Sequence, residues 1–280
     1  MKLGVIKNKG AAVFTDNGYI LLTSLGINKS PEEFIADGDN SLVELKTKLS
    51  AHKEFITFRN EELDAPLRKP GKIVAIGLNY IDHASESKME LPKHPLVFTK
   101  FNSSITGPYD NILFSTSVTN RVDYEVELAV VIGKTAKNVS KEEALKYVFG
   151  YTIINDVSAR DIQFADGQWV RGKSLDTFCP MGPFIVTADE IKDPQDLQLT
   201  CNVNNDVLQN ASTKDMIFSV ADLISILSQS FTFEPGDIIS TGTPSGVGFS
   251  RKPPIYLKNG DIMVTEVQKI GKLINTVKEI

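Results

Sequence analysis

Three carboxylates alternate along one short segment, Arg121-Val122-Asp123-Tyr124-Glu125-Val126-Glu127-Leu128-Ala129-Val130-Val131-Ile132-Gly133. In a β-strand successive side chains point to opposite faces. Asp123, Glu125 and Glu127 then share one face, and Val122, Tyr124, Val126 and Leu128 the other. Like charges at this spacing repel. Withdrawn from water, they need raised pKa values or a neutralising partner. A hard divalent cation held through oxygen is such a partner. A solvent-facing acidic strand fits the same spacing, and spacing alone does not choose between the two. Another acid follows the apolar run Tyr151-Thr152-Ile153-Ile154, as Asn155-Asp156. An acid just past a buried strand is placed to complete a cation site; alone it reads as a turn or helix-cap residue.

Other groups with chemical potential are more scattered. His83 and Glu86 are three residues apart and share a face if Ile81–Lys88 is helical, a spacing that surface hydrogen bonds also use. The segment Thr241-Gly242-Thr243-Pro244-Ser245-Gly246-Val247-Gly248 is glycine-rich and follows an apolar run. It lacks the Lys-Ser/Thr ending of a P-loop, and no helical pattern follows, so a nucleotide site is disfavoured. Cys179, between Phe178 and Pro180, has no histidine near it in sequence and reads as a buried thiol. Trp169 fits a site or a core equally well. His94 precedes Pro95 and belongs to a loop, and His52 reads as structural or exposed.

These residues must be positioned by a strand-rich scaffold. Strands are expected over Ile73–Ile76, Leu96–Phe98, Tyr124–Ile132, Tyr151–Ile154, Phe184–Val186, Leu197–Val203, Asp237–Ser240 and Asp261–Val267, all rich in β-branched and aromatic residues. Helices are expected over Lys141–Tyr147 and Met216–Ser228. Strands outnumber helices without regular alternation, which predicts an α+β, strand-rich fold rather than a doubly wound sheet. The first seventy residues read differently. Ala11–Phe14 and Tyr19–Leu22 flank the hairpin turn Asp16-Asn17-Gly18, Ser30-Pro31-Glu32-Glu33 starts a helix, and Ser41–Leu49 forms another. A boundary near Pro70-Gly71 divides a small N-terminal α+β domain, 1–70, from a catalytic domain, 71–280.

Composition narrows the function classes. The 280 residues are 41% apolar and 23% charged, ordinary for a globular chain. A formal net charge of −5 and the lack of any long Lys/Arg run argue against nucleic acid and anionic membrane surfaces. No apolar stretch approaches the ~18 residues of a membrane span. The start lacks signal-peptide organisation, so a cytoplasmic protein is expected. Two cysteines, Cys179 and Cys201, make no disulfide framework.

Five ordered motifs carry a resemblance. They are Gly77-Leu78-Asn79-Tyr80-x-x-His83-x-x-Glu86; Asp123-Tyr124-Glu125-x-Glu127; Asn155-Asp156-Val157-Ser158-Ala159-Arg160-Asp161-x-Gln163; Gly172-Lys173-Ser174-x-Asp176 with Pro180-x-Gly182-Pro183; and Ser240-Thr241-Gly242-Thr243-Pro244-x-Gly246-Val247-Gly248. Over roughly residues 72–280 the chain resembles the fumarylacetoacetate hydrolase family, in particular members with a small front region that act on 2,4-diketo acids. The resemblance implies a mixed β-sandwich roll, a homodimer, and metal binding by Glu125, Glu127 and Asp156. The three hard oxygen donors suit Mg2+ or Mn2+, with Ca2+ compatible. Asp123 is implied to be no direct ligand, with a surface or supporting role.

By the same resemblance His83 is the general base and Glu86 its orienting partner, on a lid that orders over the substrate. Lys173 donates to the developing oxyanion. Gln163 hydrogen-bonds the substrate or the attacked carbonyl, and Arg160 pairs either with a substrate carboxylate or with the acidic cluster. Tyr80, Gly242 and Thr243 are implied substrate contacts. The activity implied first is hydrolysis of a C–C bond in a 2,4-diketo or acylpyruvate-type acid, with an enolate leaving group stabilised by the metal. Oxaloacetate decarboxylation or isomerisation at the same site is the alternative, and a non-catalytic metal- or ligand-binding protein a third.

Overall fold

The structure is a computed structural model and describes residues 1–52, 54–86 and 90–280. Its organising element is an 11-stranded mixed sheet. At the centre lies the strand Val126–Ile132, paired antiparallel on one side with Val148–Asn155 and on the other with Ile238–Ser240. Val126, Leu128, Val130 and Ile132 face one core cluster, and Ala129 and Val131 face another. A strand covered on both faces reads as a continuous apolar run. The acids at its N-terminal end are therefore carried into the interior.

The first core lies between this sheet, a five-stranded sheet containing Gln198–Val203, Ile262–Val267 and Gly271–Glu279, and the helix Val220–Ser230. The second is covered by the N-terminal helices Pro31–Ala36 and Asp39–Ala51 through Phe34, Ile35 and Leu45. This is the strand-rich α+β sandwich expected. The hairpin at Asp16-Asn17-Gly18 forms, with Thr15 opposite Gly18. Its neighbour Lys2–Ile6 pairs antiparallel with Cys179–Thr187, so residues before Pro70 extend the sheet of the rest of the chain.

Several elements differ from expectation. The strand expected over Tyr124–Ile132 breaks at Tyr124–Glu125: Val122–Asp123 pairs with Ser158–Ala159, and the ladder resumes at Val126. Side chains fill the gap, the Asn155 amide oxygen accepting from the Glu125 N–H (3.0 Å) and the Gln209 amide oxygen from the Val126 N–H (3.0 Å). Lys141–Tyr147 forms a 3-10 turn over Ala144–Tyr147 rather than an α-helix. The helix expected from Met216 starts at Val220, because Ser219 and Asp222 form a capping box there. The helix expected over Ile81–Lys88 spans Ile81–Glu86, and Lys88 lies outside the described residues.

Candidate active site: a buried carboxylate cluster

Glu125, Glu127 and Asp156 each offer one carboxylate oxygen, and these oxygens lie within 4.8 Å of one another. All three side chains are buried. Glu127 is held by the central strand, and Asp156 follows the end of the adjacent one. Glu125 sits in the strand break, where the Asp156 N–H donates to its carbonyl (2.8 Å). The break thus lets consecutive acids converge on one point.

Cations surround the cluster unevenly. The Lys173 ammonium bridges Glu125 (2.7 Å) and Asp156 (2.6 Å). Lys100, absent from the sequence reading, pairs with the other Asp156 oxygen (2.6 Å) and donates to the backbone carbonyls of Val157 and Lys173. Arg160 binds Glu125 (2.5 Å) and Asp123 (2.8 Å). Burial opposes ionisation of Glu125, but Lys173, Arg160 and His83 outweigh it and hold the carboxyl at about 2. Glu127 has no ion pair among the described residues. It accepts only from the Ser240 hydroxyl (2.6 Å) and the Gly242 N–H (3.0 Å). Burial, then Asp156 and Glu125, push its carboxyl well above the ordinary range. Four buried acids, Asp123, Glu125, Glu127 and Asp156, thus face three buried cations, Lys100, Arg160 and Lys173. The cations pair with Asp123, Glu125 and Asp156 and leave Glu127, a hard oxygen donor that a divalent cation would ionise and neutralise.

Asp123 is fully buried, so the surface role allowed for it is excluded. It accepts from Arg160 Nε and from the Gly248 (2.8 Å) and Phe249 (3.0 Å) N–H groups, tying the glycine-rich loop to the cluster. Arg160 is committed to this network, which favours the acidic-cluster role over a free carboxylate clamp.

Of the catalytic candidates His83, Gln163 and Lys173 line one cavity of about 140 Å3, together with Glu125, Arg160 and Thr243, while Glu86 reaches it only through His83. His83 Nδ1 lies 2.8 Å from Glu86. The Glu86 carboxylate also accepts from the Gly246 N–H (3.0 Å) and the Ser250 hydroxyl (2.9 Å). Burial opposes its ionisation, but His83, Gly246 and Ser250 together lower its pKa. An ionised carboxylate only accepts, so Nδ1 is the ring nitrogen that donates to Glu86. Gln163 accepts from Arg160 through its amide oxygen (2.9 Å), and because guanidinium only donates, the amide N–H2 remains for a ligand. The Thr243 hydroxyl is used internally, donating to the Val126 carbonyl (3.0 Å) and accepting from Gln209 (2.8 Å).

Gly242 and Tyr80 are not among the residues lining this cavity. Gly242 has φ +96°, and a Cβ there would lie 2.8 Å from the Asn79 Cβ, so glycine is required to bring its N–H to Glu127. Tyr80 is buried, and its hydroxyl has no hydrogen-bond partner among the described residues. Cys179 and Cys201 are buried free thiols, and burial pushes the Cys179 thiol up to about 12. Of the residues the sequence reading missed, Lys100 is a lone lysine after a strand and Gln209 carries no motif, so neither left a signal.

Residues 72–278 match the family model for the fumarylacetoacetate (FAA) hydrolase C-terminal domain. The chain belongs to the fumarylacetoacetate hydrolase family. Oxaloacetate tautomerase FAHD2A, mitochondrial, of Homo sapiens is 42% identical over 277 residues, covering 98% of this chain and 87% of the relative. Fumarylacetoacetate hydrolase of Exiguobacterium antarcticum superposes with a TM-score of 0.85 at 37% identity, covering 100% of both chains. Maleylpyruvate hydrolase from Sphingobium sp. SYK-6, solved with manganese(II) and pyruvate, superposes with a TM-score of 0.84 at 30% identity, covering 100% of this chain and 99% of that one. The family members found include proteins named as tautomerases, isomerases and hydrolases, so the chain is an enzyme of this family, whereas the hydrolase class expected from its motifs is not thereby established. Among the described residues no helix is long and apolar enough to cross a membrane, and the human relative is named as mitochondrial, so the cytoplasm is not established either.

Proposed function

We propose that this chain is a divalent-metal-dependent enzyme that interconverts the keto and enol forms of a small 2-oxo dicarboxylic acid, with oxaloacetate the substrate suggested by its relatives. The observation carrying this reading is that His83, Lys173, Gln163 and the cluster acid Glu125 line one cavity of about 140 Å3. That is small against the ~300–1,000 Å3 usual for ligand pockets, which favours a four-carbon acid over a long diketo acid.

Glu125, Glu127 and Asp156 would hold Mg2+ or Mn2+. When bound, such an ion polarises a carbonyl and stabilises charge developing on its oxygen. His83 Nε2 takes the proton from the carbon next to the carbonyl, and Glu86 stabilises the imidazolium that forms. Two of the three Lys173 N–H bonds are taken by Glu125 and Asp156, which leaves one for the substrate oxygen that becomes anionic. The Gln163 N–H2 receives the distal carboxylate. Tautomerisation is complete when the proton taken by His83 is delivered to that oxygen, so one proton moves from carbon to oxygen and no water is consumed. Enol decay followed by ultraviolet absorbance tests the reading. Acceleration by the protein with Mg2+ or Mn2+ is expected, and a rate equal to the protein-free control overturns it.

C–C hydrolysis of a 2,4-diketo acid is a second reading, favoured by the same His83–Glu86 pair, which can equally take a proton from water. Pyruvate release from an acylpyruvate, lost in His83→Ala, would establish it. Loss of CO2 from oxaloacetate would instead support decarboxylation. We also propose a homodimer. Exposed Phe101, Val118 and Leu96 would suit a covered face, and light scattering on the eluted protein tests it. The cytoplasm remains our reading of the compartment, and cell fractionation tests it against the mitochondrion.

A further inference from the structure

The cavity has an apolar lining as well as its polar groups. That lining is Ile76, Leu78, Phe98, Trp169, Phe164 and Phe249. Two aromatic pairs make most of this wall. Phe98 and Trp169 meet edge to face with centroids 5.4 Å apart, and Phe164 and Phe249 do the same at 5.3 Å. Each pair is anchored to one of the charged groups. The Lys173 ammonium sits over the Phe98 ring at 5.2 Å, and the Arg160 guanidinium over Phe249 at 4.5 Å.

Trp169 is held where it is by the sheet. It lies against Gly77, where a Cβ would come within 2.6 Å of the far edge of the indole. Gly77 is the last residue of the strand Ile73–Gly77 and pairs with Leu96 of the edge strand that carries Phe98. The missing side chain at Gly77 therefore makes the seat for the indole. The Trp169 carbonyl accepts from the Lys173 N–H (3.1 Å), so the same short turn sets both the wall and the lysine.

We infer that Trp169, seated on Gly77 and backed by Phe98, is the residue that limits substrate length at this site. Resting on the keto–enol reading above, this names the substrate class as short 2-oxo acids. Longer chains that run along the Trp169 side meet the ring. A filled apolar wall discriminates by bulk, at about 10–200-fold per methylene.

Trp169 is the chain's single tryptophan, so its fluorescence reports on the wall directly. The test uses the full chain loaded with Mg2+ and a series of pyruvate, 2-oxobutyrate, 2-oxohexanoate and phenylpyruvate. Calorimetric affinity in the wild type should fall at least tenfold from the shortest to the longest, and pyruvate should change the tryptophan emission. In Trp169→Ala the length dependence should flatten, with 2-oxohexanoate gaining at least tenfold relative to pyruvate, while Trp169→Phe lies between. Gly77→Ala, which pushes the indole inward, should steepen the dependence, and thermal melts confirm that each variant is folded. The same length dependence in wild type and Trp169→Ala overturns the inference, whether or not oxaloacetate is turned over. Failure of every 2-oxo acid to bind overturns it together with the keto–enol reading. A length-selective wall in a protein that does not accelerate enol decay overturns the keto–enol reading alone.

Discussion

Glu86 holds His83 Nδ1 at 2.8 Å while its other contacts, the Gly246 N–H and the Ser250 hydroxyl, lie more than 150 residues further along the chain. One carboxylate therefore sets the histidine tautomer and fastens the helix Ile81–Glu86 to the glycine-rich loop. Glu86→Gln keeps the shape but removes the anion that faces the imidazole. Turnover of oxaloacetate enol should fall by roughly 10²-fold, and His83→Ala by about 10²–10⁴-fold, as for loss of a general base. Initial rates at saturating metal check both.

The same carboxylate predicts a pH dependence of stability. Its folded pKa is depressed. Its stabilising contribution is then fully present above the unfolded value of about 4.3 and is lost as pH falls through the folded value. The stability difference between wild type and Glu86→Gln should be constant from neutral pH to about 5 and shrink below about 4. Glu86 is half-buried, so solvent screening keeps the difference small. Urea unfolding at a series of pH values measures it. A difference that grows on acidification would contradict the assignment.

Glu127 is the cluster acid without an ion pair among the described residues, which makes it the sensitive point for metal binding. In the wild type, metal at a hundred times its Kd should stabilise the fold by about 2.7 kcal/mol. Glu127→Gln should keep metal-free stability within about 1 kcal/mol, because burial and the neighbouring acids already hold this carboxyl in its neutral form, which the amide matches in volume and charge. It should also abolish the stabilisation by Mg2+ and Mn2+. Melting curves with and without metal, together with calorimetry, read both effects.

Lys100 is the reverse case. It is fully buried and joins Asp156 to the backbone around Lys173. Lys100→Met leaves Asp156 short of a partner and the carbonyls unsatisfied, and should cost about 3–5 kcal/mol in urea unfolding. Lys72→Met offers a control, since its Asp237 partner is buried but Lys72 itself is partly exposed. A smaller loss is expected there.

The sequence by itself determined which residue types could do chemistry and how they were spaced. Separation by two residues kept Glu125 close to Glu127, i, i+3 spacing joined His83 to Glu86, and turn chemistry located the first hairpin. Those relations are local, and the geometry of a strand or a helical turn transmits them directly. Tertiary structure alone decided which face of the central strand met which core, that Asp123 is buried against Arg160, and that the strand breaks at Glu125. It also brought in Lys100, Gln209 and the Trp169 seat on Gly77, which lie from 34 to 92 residues from their partners. A buried carboxylate demands a partner, but any lysine, arginine or amide satisfies the demand. Only the packing of distant strands decides which one arrives.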